Sequence, residues 1–108
     1  MEVQLLGRKV KISFVSKDIL RELSESTPSE DIWGYYDSIS SHVYVYSGLK
    51  GGPRSRVILH ELFHAVLGIS GVTNVLNDRV EESVCDTAEA LVDIFKDPKF
   101  VKLICKND

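Results

Sequence analysis

The residue pattern predicts an α+β fold: a small, mostly antiparallel β-sheet packed on a buried helix and on a second helix toward the C-terminus. Three observations carry that prediction. Short runs of alternating apolar and polar residues fill the first half of the chain. A run that is apolar almost all round follows at 57–68, and an amphipathic stretch opens near Asp78. At 108 residues, with 44% hydrophobic and 27% charged side chains, the whole of 1–108 reads as one ordinary globular domain.

Taken in order, residues 3–6 and 10–15 flank Gly7-Arg8-Lys9 and form a first hairpin, with Val10, Ile12 and Phe14 on one face. Ser16 caps a short helix that gathers Ile19, Leu20 and Leu23 on one side, with Asp18 in its positive first turn. A polar connection at 24–31, including Pro28, leads to a second hairpin, strands 32–36 and 42–46 around the five-residue loop 37–41. In its second strand Val43 and Val45 point one way, and His42, Tyr44 and Tyr46 the other. Pro53 then sits at the start of a helix over 54–68, closed by Gly68 and Gly71. A last long helix spans 78–95, Pro98 breaks it, and the apolar tail 100–105 docks as a final helical segment.

Charge and cysteine usage exclude several classes. Thirteen Lys/Arg against sixteen Asp/Glu leave a formal charge of −3, with the basic residues scattered. This predicts no nucleic-acid stripe and no membrane-binding surface. The opening residues lack a basic segment followed by an apolar one, and the most apolar stretch falls short of the roughly 20 residues of a spanning helix. Cys85 and Cys105 are therefore expected as reduced thiols of a cytoplasmic protein.

Chemistry is concentrated in His60-Glu61-Leu62-Phe63-His64. On a helix, positions i and i+4 lie about 40° apart, one turn up. Both imidazoles can thus reach one metal ion, with Glu61 beside them as general base for bound water. For a chain with three His, the chance expectation of such a string is roughly 0.006. Zinc bound this way needs a third protein ligand and keeps one exchangeable position. Leu67 and Ser70 stand where an extended motif would have Gly and a third His, which excludes that arrangement. Glu81 is the first choice, because it shares its helix side with Val84, Cys85, Ala88 and Val92; Glu82 is the second, with Asp86 or His42 behind. One pattern competes for Glu81: Asp78 with Glu81 also fits a helix cap and its reciprocal partner. A closed, structural site using Cys85 is a further alternative.

These residues resemble a known group. The run 57–67, followed by Glu81-Glu82-Ser83-Val84-Cys85 and Ala88-Glu89-Ala90-Leu91, is similar to the small phage-type, ImmA/IrrE-like metallopeptidases of the gluzincin group. Gly34-Tyr35-Tyr36-Asp37 and Val43-Tyr44-Val45 resemble the hairpin that precedes the active-site helix there. The resemblance covers roughly 32–96 and implies a minimal zinc-peptidase fold, with His60 and His64 as ligands, a glutamate ligand from the next helix, and Glu61 as base. The chain departs from the group in having no segment that reads as the DNA-binding or regulatory domain that many relatives attach. The expected activity is zinc-dependent hydrolysis of a peptide or protein substrate, with strand 42–46 aligning an extended substrate at the sheet edge. The alternatives are a zinc hydrolase acting on a non-peptide amide or ester, and an inactive module of the same fold that sequesters a protein partner. Tyr35, Tyr36, Tyr44, Tyr46 and His42 are candidates by type for stabilising an oxyanion. The tail 100–105 has a second reading as a latency segment lying across the cleft.

Overall fold

The computed structural model describes residues 1–27 and 29–105; Pro28, in the polar connection, lies outside the described residues. Strands β1 (Glu2–Leu5) and β2 (Arg8–Val15) pair antiparallel, with Leu5 opposite Arg8. Their connection is Leu6 and Gly7 alone, at φ 51° and 79°. Two successive left-handed residues match the right-handed twist of the strands, so the turn closes early and Arg8 and Lys9 join the ladder. Helix α1 (Lys17–Ser24) starts where Ser16 Oγ accepts from the Ile19 amide at 3.3 Å. Of its three apolar residues only Leu20 is buried; Ile19 and Leu23 stay in contact with water.

The second hairpin is β3 (Gly34–Asp37) with β4 (His42–Tyr46), Asp37 lying opposite His42. Its loop has four residues rather than five, because Asp37 Oδ1 accepts from the Ile39 amide at 3.0 Å and tightens the turn. The strand starts at Gly34, two residues later than the pattern implies. Upstream, the Ile32 carbonyl is taken by the Lys17 ammonium.

Strand order is β1-β2-β4-β3, with β2 and β4 parallel, so the sheet is mixed rather than purely antiparallel. This overturns the expectation that strand 42–46 is an edge: β4 is interior, and β3 is the edge. The parallel step sets Ile12 beside Val43 and Phe14 beside Val45. Val10, Ile12, Val43 and Val45 then bury against Ala65 of the helix below. Each such aliphatic side chain contributes about 1.5–3 kcal/mol on leaving water.

Helix α2 (Gly51–Ile69) carries the His-Glu-x-x-His string. It begins three residues earlier than expected, which leaves Pro53 in its first turn. Gly68 is helical, and only Gly71, at φ 83°, ends the segment and opens the short 3-10 turn Val72–Asn74. Although α2 is apolar almost all round, only Glu61 and Ala65 are buried. A chain this short offers a sheet for one face and one helix for a flank, not a full coat.

The expected last helix is two. Helix α3 (Asp78–Ala88) is capped by the Asn77 side chain, which accepts from the Val80 amide at 2.9 Å, not by Asp78. Around 89–90 the bonds tighten to i→i−3, from Glu89 to Asp86 and from Ala90 to Thr87, before α4 (Leu91–Phe95) resumes. Helix α5 (Pro98–Ile104) packs mainly on α4 and leaves Leu103 and Ile104 exposed. Among the described residues no helix is long and apolar enough to cross a membrane. Cys85 is buried, Cys105 is exposed, and both are free thiols.

Candidate metal centre

One turn of α2 separates His60 from His64, and their rings meet edge to face, with centroids 4.9 Å apart. Their Nε2 atoms are 3.2 Å from each other. The Glu82 carboxylate spans the pair, Oε1 lying 2.9 Å from His60 Nε2 and Oε2 3.2 Å from His64 Nε2. On the far side of each ring, Nδ1 meets a different acid. His64 Nδ1 is 2.6 Å from Glu81 Oε2, while Glu81 Oε1 accepts from the Thr73 hydroxyl. His60 Nδ1 lies 3.0 Å from Glu89 Oε2 and 3.2 Å from Asp86 Oδ1.

This geometry has a consequence for the protons. A neutral imidazole donating through Nδ1 presents a bare lone pair at Nε2. Two such lone pairs and the Glu82 oxygens converge on one small volume. A cation held there would satisfy them, and so would a single imidazolium donating through Nε2 to Glu82 and to the other ring. Donor atoms bonded tetrahedrally at 2.0–2.2 Å lie about 3.3–3.6 Å apart; here the two Nε2 atoms are 3.2 Å apart and each lies 2.9–3.2 Å from a different Glu82 oxygen. Two imidazoles and one carboxylate also form the donor set of open, exchangeable zinc sites. The residues present therefore fit the ion. No family model, curated protein or solved structure matches this chain.

The structure brings together His60, His64 and Glu82, the second choice for third ligand. Glu81 is placed one bond outward, on the Nδ1 of His64, and it does not fold back onto Asp78. Helix α3 docks through Cys85 and Ala88, so the side with Glu82, Asp86 and Glu89 overlooks the histidines. Asp86 reaches only His60 Nδ1. His42 is excluded: it lies on the opposite sheet face, stacked on Tyr44 at 4.1 Å, with Nε2 2.6 Å from Ser13 Oγ. Among the described residues two groups lie close enough to share an ion, His60–His64–Glu82 and His60–Asp86–Glu89, and Cys85 belongs to neither.

Electrostatics follow the same layout. Burial alone would depress His60, but the carboxylates of Glu61, Glu89 and Glu82 outweigh it and raise its pKa. Burial works against ionised Glu81, yet hydrogen bonds from Thr73 and His64 hold its pKa below the ordinary carboxyl value. Glu61 is 8% exposed and belongs to none of the histidine–carboxylate pairs; burial pushes its carboxyl up to about 7, with the two histidines pulling the other way. The Glu61 side chain lies against edge strand β3. A Cβ added at Gly34 would stand 2.9 Å from Glu61 Cγ and 3.2 Å from Oε1.

Open space surrounds this group on both sides. A cavity of about 420 Å³ runs past His64, Tyr35, Tyr36 and Thr73. Another of about 340 Å³ runs past Ile32, Trp33, Val57 and Glu89. Gly34, His60, Glu61 and Glu82 line both. Of the candidate oxyanion donors, Tyr35 and Tyr36 line the cleft, whereas His42, Tyr44 and Tyr46 line neither cavity. None of α5 lines either cavity, so the latency reading finds no support. Sequence reasoning missed Gly34, Thr73 and the orienting role of Glu89. Only Glu89, two helical turns beyond Glu82, had a signal in the sequence.

Proposed function

We propose that this chain is a minimal zincin-like, HExxH zinc metallopeptidase, in which His60, His64 and Glu82 hold zinc and Glu61 is the general base. Glu81 and Glu89 fix the ring tautomers by accepting from Nδ1, a role such carboxylates play around metal-bound histidines. The observation that carries this reading is the Glu82 carboxylate spanning two Nε2 atoms that are 3.2 Å apart. When bound, zinc supplies Lewis acidity and a water acidified to a pKa of about 7.

The chain's own residues account for the rest. The Tyr46 amide donates to the Trp33 carbonyl, so the hydrogen-bonded pairs of this antiparallel ladder are 33/46, 35/44 and 37/42. Gly34 and Tyr36 therefore turn their backbone N–H and C=O outward, along the edge that borders the cleft. An extended peptide adds there as a further strand, a role that passes from β4 to β3. Glu61, held at the same edge, takes the proton of the attacking water and passes it to the leaving amine.

Metal content and cleavage of a mixture of denatured proteins test the reading in wild type, His64→Ala and Glu61→Gln. Wild type should carry one zinc and cleave, and His64→Ala should lose both. Glu61→Gln should keep the metal and lose about 10²–10⁴-fold in rate. A zinc-free wild type, or undiminished turnover in Glu61→Gln, would refute it. Zinc without cleavage in wild type would support the alternative, a partner-sequestering module.

A further inference from the structure

A second pair of chemically matched side chains lies on the sheet face turned away from α2. The parallel step between β2 and β4 sets Lys11 beside His42 and Ser13 beside Tyr44. Side chains alternate along each strand, so these four share a face, opposite the one where Ile12 and Val43 are buried. From β3, Asp37 joins them beside His42 and Tyr35 beside Tyr44. Ser13 and His42 meet diagonally across the step, with Ser13 Oγ 2.6 Å from His42 Nε2.

The contact has the layout of a nucleophile and its base. Its length falls within the roughly 2.6–3.2 Å expected of such a pair, whose base is in turn held by a third group. Tyr44 does the holding: the two rings stack with centroids 4.1 Å apart and planes within 10°. Ser13 and His42 are both only half-buried, so a reagent can reach them. Charge reaches the imidazole from three sides. Partial burial, the Lys11 ammonium of β2 and the N-terminal ammonium of Met1 lower the His42 pKa, and Asp37 of β3 offsets them only in part. The Asp37 carboxylate accepts from the Ile39 amide at 3.0 Å and acts on the ring by charge. A neutral imidazole with its proton on Nδ1 accepts through Nε2, here from the Ser13 hydroxyl.

We infer that Ser13 is a nucleophile activated by His42 and takes the acyl group of small activated esters. Ser13 Oγ bonds to the carbonyl carbon and the bond to the ester oxygen breaks. The hydroxyl proton passes to His42 Nε2 and from there to the departing oxygen. Neither Ser13 nor His42 lines the cavities beside the metal centre or the two grooves along α2, so no wall there selects a large acyl group. This reaction needs no zinc and stands apart from the function proposed above.

A fluorophosphonate probe provides the test, with phosphorus in place of the carbonyl carbon. An activated serine forms an O–P bond with it and releases fluoride, whereas ordinary serines do not react. Intact mass and peptide mapping read the label in wild type, Ser13→Ala, His42→Asn and His64→Ala, with folding checked by circular dichroism. Native wild type should carry one label, on Ser13, and unfolded protein none. Ser13→Ala should carry none, and His42→Asn should react at least about 100-fold more slowly. His64→Ala, and wild type treated with a chelator, should label as wild type does. No label on Ser13 in the native protein, or an undiminished rate in His42→Asn, would overturn the inference. So would loss of the label in both His64→Ala and chelator-treated wild type, which would assign the reaction to the metal centre.

Discussion

Gly34 of β3 sits tightly against Val57 and Glu61 of α2, and replacing it by alanine tests strand, helix and the proposed base at once. The added Cβ would lie 2.7 Å from Val57 Cγ1 and 2.9 Å from Glu61 Cγ, both inside normal contact distance. Neither neighbour yields easily. Val57 is β-branched within α2, and Glu61 is wedged between α2 and β3, so the edge strand must move out by several tenths of an ångström. Overpacking of this kind costs about 1–3 kcal/mol, or roughly 4–15 °C in Tm for a domain of this size. If Glu61 is the base, as proposed, any shift also moves it away from the substrate, and misplacement by about 1 Å can cost 10²-fold in rate. Gly52→Ala is the control: its nearest neighbour would be 3.6 Å away, and alanine suits a helix. Circular dichroism melts of both variants, with peptide cleavage at fixed zinc, decide the matter. Gly34→Ala with the melting temperature and turnover of wild type would refute the packing argument and the placement of Glu61.

The other predictions follow from single contacts. Glu82→Gln should weaken zinc binding more than Glu81→Gln does, the latter by about 10–100-fold as for other orienting carboxylates; competition with a chelating dye measures both, and the reverse order would make Glu81 the ligand. Burial, reinforced by Glu81 and Glu82, pushes the Cys85 thiol from 9.0 up to about 12, so it stays protonated across the working range. A thiol reagent at pH 8 should modify Cys105 alone in the native protein and both cysteines after denaturation, and two fast-reacting native thiols would contradict the packing of α3. Truncation after Lys96 removes α5, which lines neither cavity, so turnover of a peptide substrate should persist; a rise in activity would revive the latency reading.

The parts of the fold that were legible rest on local physics. Ser16 as a cap, the alternation of Val43 and Val45, and the presence of a hairpin around Gly7, though not its two-residue turn, are each decided within a few residues. The parallel pairing of β2 with β4 was not legible. It joins residues about thirty positions apart across a crossover that includes α1 and β3, and nothing in either strand distinguishes a central position from an edge. The break at 89–90 was also hidden, since its residues carry neither Gly nor Pro. Beyond that tightening Glu89 meets His60 Nδ1, so a local irregularity lies beside one of the contacts of the cluster.

The same distinction explains why the two histidines of the cluster could be read and the acid that spans them could not. His60 and His64 are related by the helix repeat alone, which any α-helix enforces. Glu81 and Glu82 differ by about 100° around α3, and only the docking of α3 on α2 chooses between them. Ranking Glu81 first assumed that a ligand projects from the stripe that packs into the core. On α2 itself that assumption already fails. The stripe with Ala65 and Glu61 is buried, while the histidines lie beside it on the flank. A cleft open to substrate must form along the seam where two helices diverge, because the centre of their contact is filled. Residues on the flanks of both helices meet there, and Glu82, Asp86 and Glu89 flank the Cys85–Ala88 contact on α3. The acid that spans the two rings is then the one beside the packing stripe, not the one within it, and the in-stripe Glu81 meets His64 from behind, at Nδ1.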